Sequence, residues 1–157
     1  MKKKFLVNYY CDSNKWSRRI PKIKIITEKT LKITKKKFNK QFTYNLNIIL
    51  SDKKRLTYLN KMYKNKQKDT DVLTFVTNIS NKNVGKIKYC DIFFSIDTIK
   101  KNIDKNNINL YDHFNHLLIH SFLHINGYAH TNLDQYNKMK KIEIRTLKFL
   151  GIDNPYL

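Results

Sequence analysis

The chain has 157 residues, with 32 Lys or Arg against 12 Asp or Glu and a formal net charge of +20 at pH 7. That length fits one ordinary domain, 1–157, and its 41% hydrophobic and 13% aromatic residues exclude a disordered chain; no apolar run reaches the length of a membrane span. Such a cationic excess favours a polyanionic partner, RNA or DNA; the Lys-, Asn- and Ile-rich composition also fits an AT-rich genome, but codon bias does not account for the shortage of acids.

The basic opening MKKKFLVNYY lacks the apolar stretch of a signal peptide. Cys11 and Cys90 form no CxxC pair and read as reduced thiols, so a cytoplasmic setting is expected. Phe5 to Tyr10 is a candidate first strand. A helix from about Pro21 carries Ile23, Ile26 and Leu31, since Pro suits a first helical turn. Tyr44 to Leu50 alternates, with Tyr44, Leu46, Ile48 and Leu50 on one face of a half-buried strand. Ser51 or Asp52 can cap the next helix, which carries Leu56, Leu59 and Tyr63. Val72 to Val76 and Asp91 to Ser95 are short runs of strand formers, and the Lys- and Asn-rich stretch between them reads as an exposed hairpin connection. Helices are expected over Asp97 to Ile103, from about Tyr111 to Asn126, and over Asp134 to Leu150, the last with Asp134 as cap and Gly151 as stop. The fold class is α+β: a small mixed sheet of about four strands with helices packed on it. Strand order is not legible.

All five histidines lie within residues 113–130, and three read His-x-x-x-His-x-x-x-x-x-His: His120, His124 and His130. On a helical wheel His113, His116, His120, His124 and Gly127 fall within an arc of roughly 80°. Nearly all the rest of that circumference is apolar, as in a buried helix. A buried imidazole needs a hydrogen-bond partner or a metal. Two imidazoles four residues apart point the same way, and Gly127 can end the helix and turn the chain so that His130 closes the set. Three protein ligands and one open position describe a catalytic metal. His116 could support a ligand or face substrate; His113 reads as a surface or cleft-edge residue. The spacing is also that of the metzincin proteases, but their general-base Glu is here Ser121, which disfavours proteolysis. What remains is a divalent ion that lowers the pKa of a water towards 7 and stabilises charge on a phosphoryl oxygen.

These residues resemble the YbeY-type endoribonucleases, metal-dependent factors in ribosomal RNA maturation. The family signature His-Gly-x-Leu-His-Leu-x-Gly-Tyr-Asp-His stands here as His120-Ser121-Phe122-Leu123-His124-Ile125-Asn126-Gly127-Tyr128-Ala129-His130. A second segment, Asn-x-x-Tyr-Arg leading to Pro-Thr-Asp/Asn-Val-Leu-Ser-Phe, is similar to Asn60 to Lys64 and Thr70 to Phe75. A third, Gly-Asp-Ile before an apolar strand and Ser, is similar to Cys90 to Ser95. The tail with Met139, Glu143, Leu147, Gly151 and Pro155-Tyr156 is similar too, so the resemblance spans residues 44 to 157. It implies one zinc ion on His120, His124 and His130, cleavage of single-stranded RNA, and a role in 16S rRNA processing and ribosome quality control with the small ribosomal subunit. Lys64 takes the place of the family's Arg. It keeps the charge but loses the planar grip on phosphate. Ala129 replaces an Asp and could loosen His130, Ser121 replaces a Gly and could narrow the cleft, and Cys90 replaces another Gly.

The catalytic candidates are Lys64, for charge on the scissile phosphate, and His120 and His124. Asp71 reads as structural before it reads as an acid/base. Glu143 could bond a ligand's second nitrogen, though a plain salt bridge is the preferred reading. Ser121 could touch substrate or face the helix, and Tyr128 could stack on a base or bury itself in the turn. Trp16 with Arg18 and Arg19, and Lys35 to Lys37, are basic clusters that could track RNA. A second reading of the whole chain is a non-catalytic, RNA-binding ribosome-assembly factor with a structural metal. A third, a hydrolase of peptides or small molecules, is disfavoured by the charge and the missing Glu.

Overall fold

The computed structural model describes residues 5–37 and 41–157, apart from the side chain of Lys37. The Lys35 to Lys37 cluster therefore lies partly outside the described residues, as does the basic start 1–4. Among the described residues the order is β1 (Phe5–Cys11), α1 (Ile20–Thr34), β2 (Phe42–Ser51), α2 (Lys53–Lys64), β3 (Val72–Asn81), β4 (Gly85–Ser95), α3 (Ile96–Asn106), α4 (Leu110–Ile125) and α5 (Leu133–Phe149). The strands form one mixed sheet in the order β1-β2-β4-β3. β1 and β2, and β2 and β4, pair in parallel; β3 closes the edge antiparallel to β4.

Alternation along β2 and β4 decides which helix covers which face. Tyr44, Leu46, Ile48 and Leu50 of β2 and Cys90, Ile92 and Phe94 of β4 join one core with Ile23 and Leu31 of α1 and Phe114, Leu117, Leu118 and Phe122 of α4. The intervening Ile49 and Phe93, with Leu73 and Phe75 of β3, meet Leu56 and Leu59 of α2 on the other face. So α4 and α2 lie on opposite sides of the sheet. Ile119 and Leu123 of α4 pack with Met139 and Leu147 of α5 in a third cluster. That leaves α4 buried on every side except the histidine stripe.

Three expectations change. Strands β3 and β4 run far past Val76 and begin well before Asp91. The Lys- and Asn-rich stretch is strand, paired Thr77 to Tyr89, Ile79 to Ile87 and Asn81 to Gly85. Cross-strand backbone bonds override the weak propensity of its Asn and Lys residues, and only residues 82–84 turn. Helix α5 is capped by Asn132, whose side chain accepts from the Gln135 N–H at 2.9 Å; Asp134 sits inside the first turn. Trp16 is no surface residue: it is fully buried and its indole N–H donates to the Ser51 carbonyl at 2.7 Å. Of the two caps considered for α2, Asp52 performs the task, accepting from the Arg55 N–H at 3.0 Å.

Candidate metal centre

Helix α4 ends in a Schellman turn. Gly127, at φ +88°, takes the left-handed conformation, the Tyr128 N–H donates to the Leu123 carbonyl and the Gly127 N–H to the His124 carbonyl, both at 3.0 Å. This turn brings His130 back over the helix. The ring centroids of His120, His124 and His130 lie 4.5, 5.3 and 4.9 Å apart, taken pairwise. One nitrogen from each falls within 4.8 Å of the others.

The outer nitrogens of two rings are fixed by groups that can only accept a proton. His124 Nδ1 donates to the Tyr128 carbonyl at 2.9 Å. His120 Nδ1 donates to Glu143 Oε1 at 2.6 Å. In that tautomer both Nε2 atoms carry lone pairs, yet they face each other at 2.9 Å. Two acceptors at that distance repel unless a cation lies between them. Nitrogens each 2.0–2.1 Å from a tetrahedral zinc are about 3.3 Å apart, so the pair needs only a small opening to hold one. The donor set fits a borderline-soft divalent ion with imidazole ligands.

Electrostatics agree. Burial, then repulsion from His120 and His130, pulls the His124 pKa down to about 4, so the ring is neutral and free to bind at neutral pH. Burial alone would raise the Glu143 carboxyl, but hydrogen bonds from His116, His120 and Tyr156 win and take it down to about 2. Glu143 is therefore a carboxylate although only 1% of its side chain is exposed. Its second oxygen receives His116 Nε2 at 2.8 Å and the Tyr156 hydroxyl.

Glu143 is thus not a plain salt bridge. One carboxylate clamps a metal-ligand candidate with one oxygen and His116 with the other. Its spacing carried the signal: Met139, Glu143 and Leu147 form one i, i+4 row on α5, and Met139 and Leu147 are core. A Glu in such a row must have partners. Two contributors were missed in the sequence, the backbone carbonyl of Tyr128 and the hydroxyl of Tyr156.

The other candidates fall as follows. Of the two places considered for His113 the cleft edge holds: it lines a pocket, its side chain is 13% exposed and its Nε2 bonds Asp71 Oδ2 at 2.9 Å. Asp71 is structural, since it also accepts from Asn102 Nδ2 at 2.8 Å and its carbonyl receives the Ser95 N–H at 2.9 Å. Ser121 is fully buried, its hydroxyl without a partner among the described residues, so it neither touches substrate nor narrows the cleft. The Tyr128 ring packs against the α4–α5 core cluster, with Lys138 Nζ 5.6 Å from its centroid. His130 is exposed, and neither ring nitrogen has a hydrogen-bond partner among the described residues, which fits the Ala129 at its side. Lys64 is placed by a contact of its own. It ends α2, and its Nζ lies 5.3 Å from the Phe75 ring centroid, on the α2 side of the edge strand.

The sequence model of one family, described as Endoribonuclease YbeY, matches residues 10–151. A protein of Ehrlichia ruminantium (strain Gardel) named Endoribonuclease YbeY is 38% identical over 145 residues, 91% of this chain and 90% of its own. One of Ehrlichia chaffeensis with the same name is 39% identical over 121 residues, 74% of each chain. The solution structure of TM1509 from Thermotoga maritima superposes with a TM-score of 0.55 over 93% of this chain and 92% of that one; at 22% identity this likeness concerns the fold.

Proposed function

The chain belongs to the endoribonuclease YbeY family, and from that membership we propose that it is a zinc-dependent endoribonuclease cutting single-stranded RNA in the maturation of 16S rRNA on the small ribosomal subunit, in the cytoplasm. The observation that carries the reading is the opposed pair of Nε2 lone pairs on His120 and His124, with His130 beside them. The net charge of +20 supports a polyanionic substrate. No helix among the described residues is long and apolar enough to cross a membrane.

His120, His124 and His130 would hold the ion. When bound, zinc supplies Lewis acidity, polarising a phosphoryl oxygen and lowering the pKa of water towards 7. The residues around it orient and insulate. Glu143 holds the His120 ring and its tautomer, and the Tyr128 carbonyl does the same for His124. His130, exposed and lightly held, leaves the outer side of the site open to an RNA strand. Lys64 contacts a phosphate of that strand and offsets its charge. It acts as a point charge on RNA position rather than as a donor at the reacting atoms.

The test is His120→Ala. The expected result is loss of the metal and of RNA cleavage, with folding and RNA binding retained. A folded, metal-free variant that still cuts RNA would overturn the proposal. A wild-type protein that binds RNA and metal but never cuts would instead favour the assembly-factor reading. Fragment ends carrying 2′,3′-cyclic phosphate would identify the RNA 2′-hydroxyl as nucleophile.

A further inference from the structure

Beyond His120, the same face of α4 runs into a pocket of about 180 Å³ lined in part by His113 and His116. His116 and His120 are one turn apart, about 6 Å along the axis, and share the Glu143 carboxylate. The pocket is therefore linked to the metal site through one carboxylate. Ile108, Leu147, Ile152 and Pro155 give it apolar patches among a larger number of polar residues. Its volume leaves room for a purine or a pyrimidine base.

Charge decides what can enter. This chain has only 12 acidic residues. Two of them, Asp71 and Glu143, are paired with the pocket's histidines, and two more, Asp112 and Asp153, line the pocket itself. A phosphate would meet these carboxylates with nothing cationic among the lining residues except the imidazoles. Asp112 has no side-chain hydrogen bond to a described residue, so its oxygens are free to accept. Asn109 and Asn154 also line the pocket, and both spend their side-chain oxygen on backbone, Asn109 on Tyr111 and Asp112 N–H, Asn154 on Tyr156 N–H at 2.9 Å. Their amide N–H groups remain to donate.

We infer that this pocket receives one unpaired nucleobase of the RNA strand, next to the position at the metal, and selects adenine, cytosine or guanine over uracil. The inference rests on the endoribonuclease reading for the strand but on the pocket's own chemistry for the base. Amino groups on a base edge donate to carboxylates. Uracil offers one N–H flanked by two carbonyl oxygens, which would face Asp112 and Asp153 and be repelled. The apolar patches take the faces of the ring, and the asparagine amides answer its acceptor atoms.

The experiment titrates the metal-loaded full chain with adenosine, cytidine, guanosine and uridine while following the side-chain methyl NMR signals of Ile108, Leu147 and Ile152. The three amino-bearing nucleosides should move those signals and bind about tenfold more tightly than uridine, the size expected of a hydrogen bond to a charged group. In the double variant Asp112→Asn, Asp153→Asn the four nucleosides should bind with near-equal affinity while zinc content is unchanged. If that variant does not fold, the wild-type comparison of cytidine with uridine decides alone. Equal binding of uridine, methyl signals that no nucleoside moves, or a pocket that magnesium ions fill in competition with nucleosides would overturn the inference. A chain that binds cytidine here but cuts no RNA would overturn the endoribonuclease reading and leave the pocket standing.

Discussion

At the residue scale, Glu143 is the position on which the centre turns. It is buried, charged, and bonded to His120, His116 and Tyr156 at once. Glu143→Gln keeps the shape but cannot accept from both histidines and the tyrosine, because its amide nitrogen only donates. Zinc affinity, measured by competition with a chelator, should fall 10- to 100-fold, the usual range for losing the partner of a ligating histidine; unchanged affinity would show that the clamp does not orient the ligand. Lys64→Ala should behave differently: weaker RNA binding with the salt slope reduced by about 1 and cleavage at saturation little changed. A large loss of kcat with unaltered affinity would move Lys64 to the reacting atoms. Burial pushes the Cys90 thiol up to about 12, whereas Cys11 is exposed. An alkylating agent at pH 8 should therefore label Cys11 alone in the folded protein; rapid labelling of both would show that the β4 core opens. Single residues were the least legible part of the sequence. The imidazole triad could be read because helix geometry aligns i and i+4 and glycine permits the return. The partners of those imidazoles could not, because a carboxylate from α5, a tyrosine near the end of the chain and a backbone carbonyl meet only after packing.

At the element scale, α4 and its terminal turn act as one unit. Gly127 sits at φ +88° and a Cβ at that position would meet nothing within 4 Å, so Gly127→Ala strains the backbone without a clash. The turn should relax, the Tyr128 carbonyl should lose its hold on His124, and His130 should drift. Zinc affinity should fall more than thermal stability does; the two are compared by chelator competition and calorimetry, and an equal, global loss would mean that the turn matters only for folding. Regular elements were legible wherever burial imposes a period. Tyr44 to Leu50 alternates because one face meets α1 and α4, and α4 is apolar nearly all round because α1, α3, α5 and the sheet enclose it. The outer halves of β3 and β4 were not legible, because that of β3 is exposed on both faces, that of β4 is at most half-buried, and backbone pairing holds them with no hydrophobic period to read. The insertion of β4 between β2 and β3 is likewise a property of the assembled sheet. The choice of Asn132 over Asp134 as cap shows the usual ambiguity when two capping residues stand within one turn.

For the whole molecule, charge and titration set the behaviour. With a net charge of +20, RNA affinity should fall steeply with salt, the logarithm of the association constant dropping linearly with that of salt concentration. Stability of the metal-free protein should fall in two stages on acidification. His124 titrates near 4 in the fold against 6.5 ordinarily, so the unfolded chain takes up the extra proton first and stability is lost as pH drops from 6.5 towards 4. Glu143 titrates near 2 against 4.5, so its contribution, complete above 4.5, is lost as pH drops from there towards 2. Urea melts across that range should show a shallower lower stage in Glu143→Gln, and an unaltered profile would contradict the account of the carboxylate. The central claim is that three imidazoles converge on one ion with a place left open. X-ray absorption at the zinc edge of the loaded protein tests it most directly. The account predicts three nitrogen neighbours from imidazole at about 2.0–2.1 Å and one oxygen from solvent; a spectrum with sulfur neighbours, or with fewer than three imidazoles, would contradict it.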